Sequence, residues 1–201
     1  MAIRENVLGP EHPDTAASVN NLGVLFGDQG DLAAAQPLLE RALAIREKAL
    51  GPEHPDTAMS LNNLAFLHRA HGDFPAARPL YERALAIREK VLGPEHPDTA
   101  TSLNNLASLH QARGDLPAAR PLLERALCIY EKTFGPEHPD TAMSLNNLGP
   151  ARQSASSSSS SRSGMRGCHS PGSGRITLNN RPFDFFDCFS KTGTSRAPWP
   201  S

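Results

Sequence analysis

Gly9-Pro10-Glu11-His12-Pro13-Asp14-Thr15-Ala16 returns unchanged at 51–58, 93–100 and 135–142, each copy 42 residues after the last. The sequence between the copies repeats as well. Residues 51–92 match 93–134 at 32 of 42 positions and match 9–50 at 29 of 42. A fixed period of this length without insertion marks a stacked architecture, in which each unit buries its apolar face against its neighbours.

Each period reads as two helices. In the second unit Asp56 or Thr57 is expected to cap a first helix running to about His71. Gly72 then supplies a left-handed residue, and Asp73 caps a second helix. Pro75 and Pro117 fall in the first turn of that second helix, where a missing N–H costs little. Gly93 and Pro94 stop it. Pro37, Pro79 and Pro121 lie about six residues into the second helix, where proline removes a backbone hydrogen bond. Leu80, Ala84, Leu85 and Ile87 carry the apolar period past Pro79, so the helix is expected to continue with a slight kink.

Leu61, Leu64, Ala65 and His68 on the first helix, with Ala77, Tyr81 and Ala84 on the second, resemble the tetratricopeptide repeat. The usual period of that family is about 34 residues. The longer version here, with Leu-Asn-Asn-Leu-Ala at 61–65 and Arg-Ala-Leu-Ala-Ile-Arg-Glu-Lys at 83–90, is similar to the kinesin light chain repeat. The resemblance covers residues 2–149 and implies an all-α fold, a right-handed solenoid of antiparallel helix pairs. The array is placed at 1–149, with complete units at about 9–50, 51–92 and 93–134 and partial units at both ends. Ala2-Ile3-Arg4-Glu5 aligns with Ala44-Ile45-Arg46-Glu47, midway through a second helix. At Pro150 the fourth unit's first helix is expected to end after roughly two turns. The array therefore reads as a piece of a longer one, or as a truncated product.

Residues 150–201 have a different composition. Serine, glycine, arginine and proline dominate 151–175, which predicts disorder. Residues 176–189 are more hydrophobic and suit a short strand or a docking segment. Residues 1–150 carry 13 Lys/Arg and 19 Asp/Glu, whereas 151–201 carry 7 and 2. Neither part is basic enough for a nucleic-acid-binding domain. No run of 18 apolar residues offers a membrane span, and no apolar leader follows Met1. Three scattered cysteines, Cys128, Cys168 and Cys188, fit a reducing, cytoplasmic setting better than a disulfide scaffold.

Signals for catalysis are weak, and no enzyme or cofactor is expected. There is no phosphate-binding glycine loop, nucleophile elbow or carboxylate pair. His12, His54, His96 and His138 recur one per unit, about 10 Å apart in a helical stack. That is too far to share a metal whose bonds are about 2 Å, so they read as turn residues. His68 and His110 read as packed seam residues, and Cys128 as a small hydrophobe. The charges of the second helices, such as Glu82 with Arg83 and Glu89 with Lys90, read as a solvated face.

Binding signals are stronger. With Leu61 set at the centre of the packed face, Leu64, Ala65 and His68 fall beside it, and Met59, Asn63, Phe66 and Ala70 fall opposite. The matching residues are Ala17, Asn21, Val24 and Asp28 in the first unit and Thr101, Asn105, Ser108 and Ala112 in the third. In the resembled family this face lines a groove. An amide both donates and accepts, which suits an extended peptide backbone. The candidate peptide-binding set is Asn21, Asn63, Asn105, Asn147, Met59, Phe66, Thr101 and Ser108. Asn20, Asn62 and Asn104 fall on the flank and read as structural. The expected function is a non-catalytic scaffold that binds a peptide or partner helix. A cargo adaptor like kinesin light chain is its sharper form. The alternatives are a sensor fragment of a larger signalling protein and a truncated array without independent function. The resemblance implies protein ligands, among them acidic–aromatic peptides and a motor heavy chain, with no nucleic acid or membrane. Phe183-Asp184-Phe185-Phe186-Asp187 has the acidic–aromatic character itself, which makes self-occupancy of the groove an expectation to test.

Overall fold

The computed structural model describes residues 2–156. The serine-rich stretch and the Phe183–Asp187 cluster lie outside the described residues. Among those described, every regular element is a helix: α1 (Ala2–Leu8), α2 (Pro13–Asp28), α3 (Leu32–Leu50), α4 (Pro55–Ala70), α5 (Phe74–Val91), α6 (Pro97–Ala112), α7 (Leu116–Phe134) and α8 (Pro139–Ser156). The pairs α2–α3, α4–α5 and α6–α7 are the three complete units. First helices touch one another in succession, α2 to α4 to α6 to α8, and each second helix packs against the first helices before and after it.

The eight-residue repeat is a complete joint. Gly51 and Gly93 end α3 and α5 or follow them with φ of 95° and 97°, a region in which a Cβ is strained. Two prolines later the next helix begins, and its cap corrects the expectation. Pro55 occupies the first helical position, so the cap is His54, whose Nδ1 accepts from the Asp56 N–H at 3.1 Å. His12, His96 and His138 do the same for Asp14, Asp98 and Asp140. Asp56 sits in the first turn, where its charge favours the helix dipole. Thr57 Oγ1 donates back to the Gly51 carbonyl at 2.9 Å, which closes the turn, and Thr15, Thr99 and Thr141 repeat that bond. Glu53 receives Lys90 of the following second helix at 2.7 Å.

The turn inside each unit follows the sequence reading. Gly30, Gly72 and Gly114 have φ of 76–80°, and Asp31, Asp73 and Asp115 accept from the N–H three residues on. The helices run through Pro37, Pro79 and Pro121. All three prolines are exposed, so water can take the carbonyl that each leaves without a partner.

Apolar clusters alternate along the stack. Ala58 and Leu61 pack on Ala84 and Ile87 within one unit. Leu64 and Leu67 pack back onto Ala35 and Leu39 of the unit before. Leu106 and Leu109 pack in the same way on Ala65, Ala77 and Tyr81. Buried arginines tie the units together. Arg46 donates to the Asp56 carbonyl and Ser60 Oγ at 3.0 and 2.8 Å, and Arg88 to Asp98 and Ser102 at 2.8 and 3.1 Å. Burial lowers the Arg46 pKa and Asp56 offsets part of that effect.

The last joint differs, and α8 departs from expectation. Tyr130 stands where Arg46 and Arg88 stand, and its hydroxyl lies 2.9 Å from Thr101 Oγ1 of its own unit. Ser144 Oγ is left without a partner. Pro150 does not end the helix, which continues to Ser156. The lost backbone bond is offset by packing, because Leu148 and Ala151 flank Pro150 and are buried against Ala107, Ala119, Leu123 and Leu127.

Candidate functional site

The second helices leave one face of the first-helix layer uncovered, and the residues singled out from sequence sit there at different depths. Met59, Phe66, Thr101, Asn105, Ser108 and Asn147 are half-buried, and Asn21 is exposed. Asn63 is buried, at 3% exposure. Its Nδ2 donates to Asn20 Oδ1 of the preceding unit at 3.0 Å. The Thr101 hydroxyl is occupied too, since it donates to the Pro97 carbonyl at 3.2 Å or pairs with Tyr130.

Asn20, Asn62 and Asn104 on the flank are buried. Asn62 Nδ2 donates to Ser102 Oγ at 3.3 Å, whereas Asn62 Oδ1 and both amide atoms of Asn104 have no partner. A buried polar atom left unpaired costs about 1–3 kcal/mol. Asn147 receives a different inter-unit bond, through its backbone carbonyl, from Gln111 Nε2 at 2.8 Å.

One cation belongs to this layer. Arg69 is the single Lys or Arg on α2, α4, α6 and the described side chains of α8. Its guanidinium lies 5.1 Å from the centre of the Phe66 ring, within cation–π range. It also approaches the buried Tyr81, whose phenol pKa burial pushes up to about 12 while Arg69 pulls it partly back.

Among the described residues no group of three or more His, Cys, Asp or Glu side chains comes together. His68 and His110 lie with Nδ1 3.6 and 3.5 Å from Asp73 and Asp115 across the turn within each unit. Cys128 is half-buried. The second-helix charges pair between units, Arg83 with Glu47 at 2.7 Å and Arg125 with Glu89 at 2.5 Å, whereas Lys132 pairs with Glu95 of its own unit at 2.7 Å. The Lys132 hydrogen bond holds the Glu95 carboxyl below its ordinary pKa. No described helix is long and apolar enough to cross a membrane.

Known proteins place this geometry. Residues 1–48, 20–90, 61–132 and 98–157 match the sequence model of the tetratricopeptide repeat. A crystal structure from Podosopora anserina, described as kinesin light chain nearly identical TPR-like repeats, is 36% identical to the chain. It superposes with a TM-score of 0.63 over 78% of this chain and 74% of its own. A substituted form of the same repeats gives 35% identity and a TM-score of 0.64 over the same shares. BtubC (BKLC) from P. vanneervenii shares the fold, with 22% identity and a TM-score of 0.62 over 82% of this chain and 73% of its own. No curated protein matches the chain.

Proposed function

The chain belongs to the tetratricopeptide repeat family, and on that footing we propose that this protein-interaction scaffold binds an extended peptide along its first-helix layer. In the family that layer lines a concave groove. The observation that carries the reading is the open row of Asn105, Ser108 and Asn147 beside the half-buried Met59 and Phe66. Amides and a hydroxyl suit a peptide backbone, and the two larger side chains offer apolar contact. Arg69 over Phe66 supports an acidic–aromatic ligand, because a carboxylate would meet a cation there. The similarity to the Podosopora anserina repeats supports a cargo adaptor as the sharper form, with a motor heavy chain among its partners.

The test is capture of a displayed library of random twelve-residue peptides on the immobilised chain. The reading expects a family of enriched peptides whose capture is lost in Ser108→Trp, which fills the open face without entering the core. Failure to enrich any peptide, or capture indifferent to that substitution, refutes it. A pull-down read by mass spectrometry tests the sharper form, which expects a motor heavy chain among the retained proteins.

A further inference from the structure

The two ends of the described array leave open the positions that the inner units bury. Ala58, Leu61 and Asn62 of α4 are at most 4% exposed, and their counterparts on α2 and α6 are buried too. On α8, which is as long as the other first helices, the same positions hold Ala142, Leu145 and Asn146. Ala142 and Asn146 are exposed, and Leu145 is half-buried. The first helix at the other end shows the converse face. Ser60, Asn63 and Leu67 of α4 meet the unit before them and are at most 3% exposed. Their counterparts on α2 are Ser18, which is half-buried, and Asn21 and Leu25, which are exposed. Beside α2 lies α1, at the register of the last turns of a second helix, with Ile3 at the position of Ile45 and Ile87.

Inside the array these two sets of positions meet. Asn63 Nδ2 donates to Asn20 Oδ1 at 3.0 Å, and Asn62 Nδ2 donates to Ser102 Oγ at 3.3 Å. Ala58 and Leu61 pack on Ala84 and Ile87 of the second helix beside them. Counted in whole periods, Asn146 is the counterpart of Asn20 and Asn62, Asn21 of Asn63, and Ser18 of Ser102. Each end therefore carries the half of a joint that the other end lacks. We propose that the chain associates head to tail with a second copy, α8 of one copy receiving α1 and α2 of the next as its following unit. A second copy is the occupant because the contact continues the joint already made inside the chain, in the same register and with the same residue types. In it, α1 covers Ala142 and Leu145, and α2 lies beside α8 with Asn21 at Asn146. Repeat arrays stay separate by ending on polar outer faces, whereas these ends expose Ala142 and Leu25. The two patches differ, so the contact is heterologous and extends into open chains rather than closing as a symmetric dimer. It is also weaker than an internal joint, because α1 supplies only 7 residues of a second helix. The inference does not rest on the peptide reading above.

The experiment is sedimentation equilibrium of the full chain at concentrations from about 10 μM to about 1 mM, the range of a weak interface. The wild type should rise from the mass of one copy to that of two and beyond. Asn21→Arg and Ala142→Arg each place a long cation in one half of the joint. Both residues are exposed, so the thermal unfolding curves should match the wild type. Each variant alone should stay at the mass of one copy, because every contact needs both halves. Mixed in equal amounts, the two variants retain one intact half each and should form pairs and nothing larger. If Ala142→Arg lowers the unfolding temperature, Asn146→Arg blocks the same half from another exposed position. A wild type that remains a single copy at about 1 mM overturns the proposal. Association that persists in either variant alone overturns it too, since that marks a contact elsewhere. So does a mixture that fails to pair at concentrations where the wild type associates.

Discussion

The repeat supplies its own control for the energetics of stacking. Leu67 and Leu25 occupy the same position one unit apart, at the same place on a first helix. Leu67 is 3% exposed and packs on Ala35 and Leu39 of the preceding unit. Its Cδ1 lies 3.5 Å from where a Cβ on Gly27 would sit. Leu25 is 47% exposed. Truncating a buried leucine to alanine removes transfer free energy and opens a cavity, so Leu67→Ala should cost about 3 kcal/mol. Leu25→Ala opens no cavity and loses only part of the transfer term, less than about 1 kcal/mol. Urea unfolding followed by far-ultraviolet circular dichroism reads both. The account expects a large shift in midpoint for Leu67→Ala and a small one for Leu25→Ala. Equal shifts, or a shift for Leu67→Ala no larger than that expected for Leu25→Ala, would refute the assignment of the unit-to-unit seam.

Three further outcomes follow from the joints. Replacing the helix cap by His54→Leu should cost about 1 kcal/mol in urea unfolding, while His54→Asn, which restores an acceptor, should be close to neutral. Gly72→Ala should cost about 1 kcal/mol through backbone strain alone, because φ is 77° and nothing lies within 4 Å of the added Cβ. The raised Tyr81 pKa means the fold holds the neutral phenol. That contribution is fully present below the ordinary tyrosine value of about 10 and is lost as pH rises through about 12. Wild type should therefore lose about 3 kcal/mol more than Tyr81→Phe across that window in pH-dependent urea unfolding. Parallel pH profiles for the two proteins would contradict this.

The repeat period and the turn glycines were legible in the sequence because both depend on local rules. Gly72 with Asp73 specifies its turn wherever it occurs, and the structure repeats it at Gly30 and Gly114. The histidine cap was missed, although Pro55 at the first helical position was the available signal: a cap precedes that position, and the residue there is His54. The buried arginines were missed because charge suggested solvent. Arg88 nevertheless falls in phase with Ala77, Tyr81 and Ala84 on the apolar stripe, and the repeat places Tyr130 at the same register. The continuation of α8 past Pro150 needed tertiary information, since the burial of Leu148 and Ala151 outweighs the lost bond. The helical phase alone put Asn63 beside Asn105 on the open face, although Asn63 is buried at 3% exposure. It could not show that one is bonded across the joint and the other is not, because that depends on how neighbouring units settle against each other.

The most direct test of the central claim is the nuclear magnetic resonance footprint of a bound peptide on the isotopically labelled chain. Binding along the first-helix layer predicts shift changes at the side-chain amides of Asn105 and Asn147 and at the backbone of Ser108. The second-helix ion pairs around Arg83 and Glu89 should stay unperturbed. Changes confined to those pairs, or saturating binding that leaves Asn105, Ser108 and Asn147 untouched, would contradict the account.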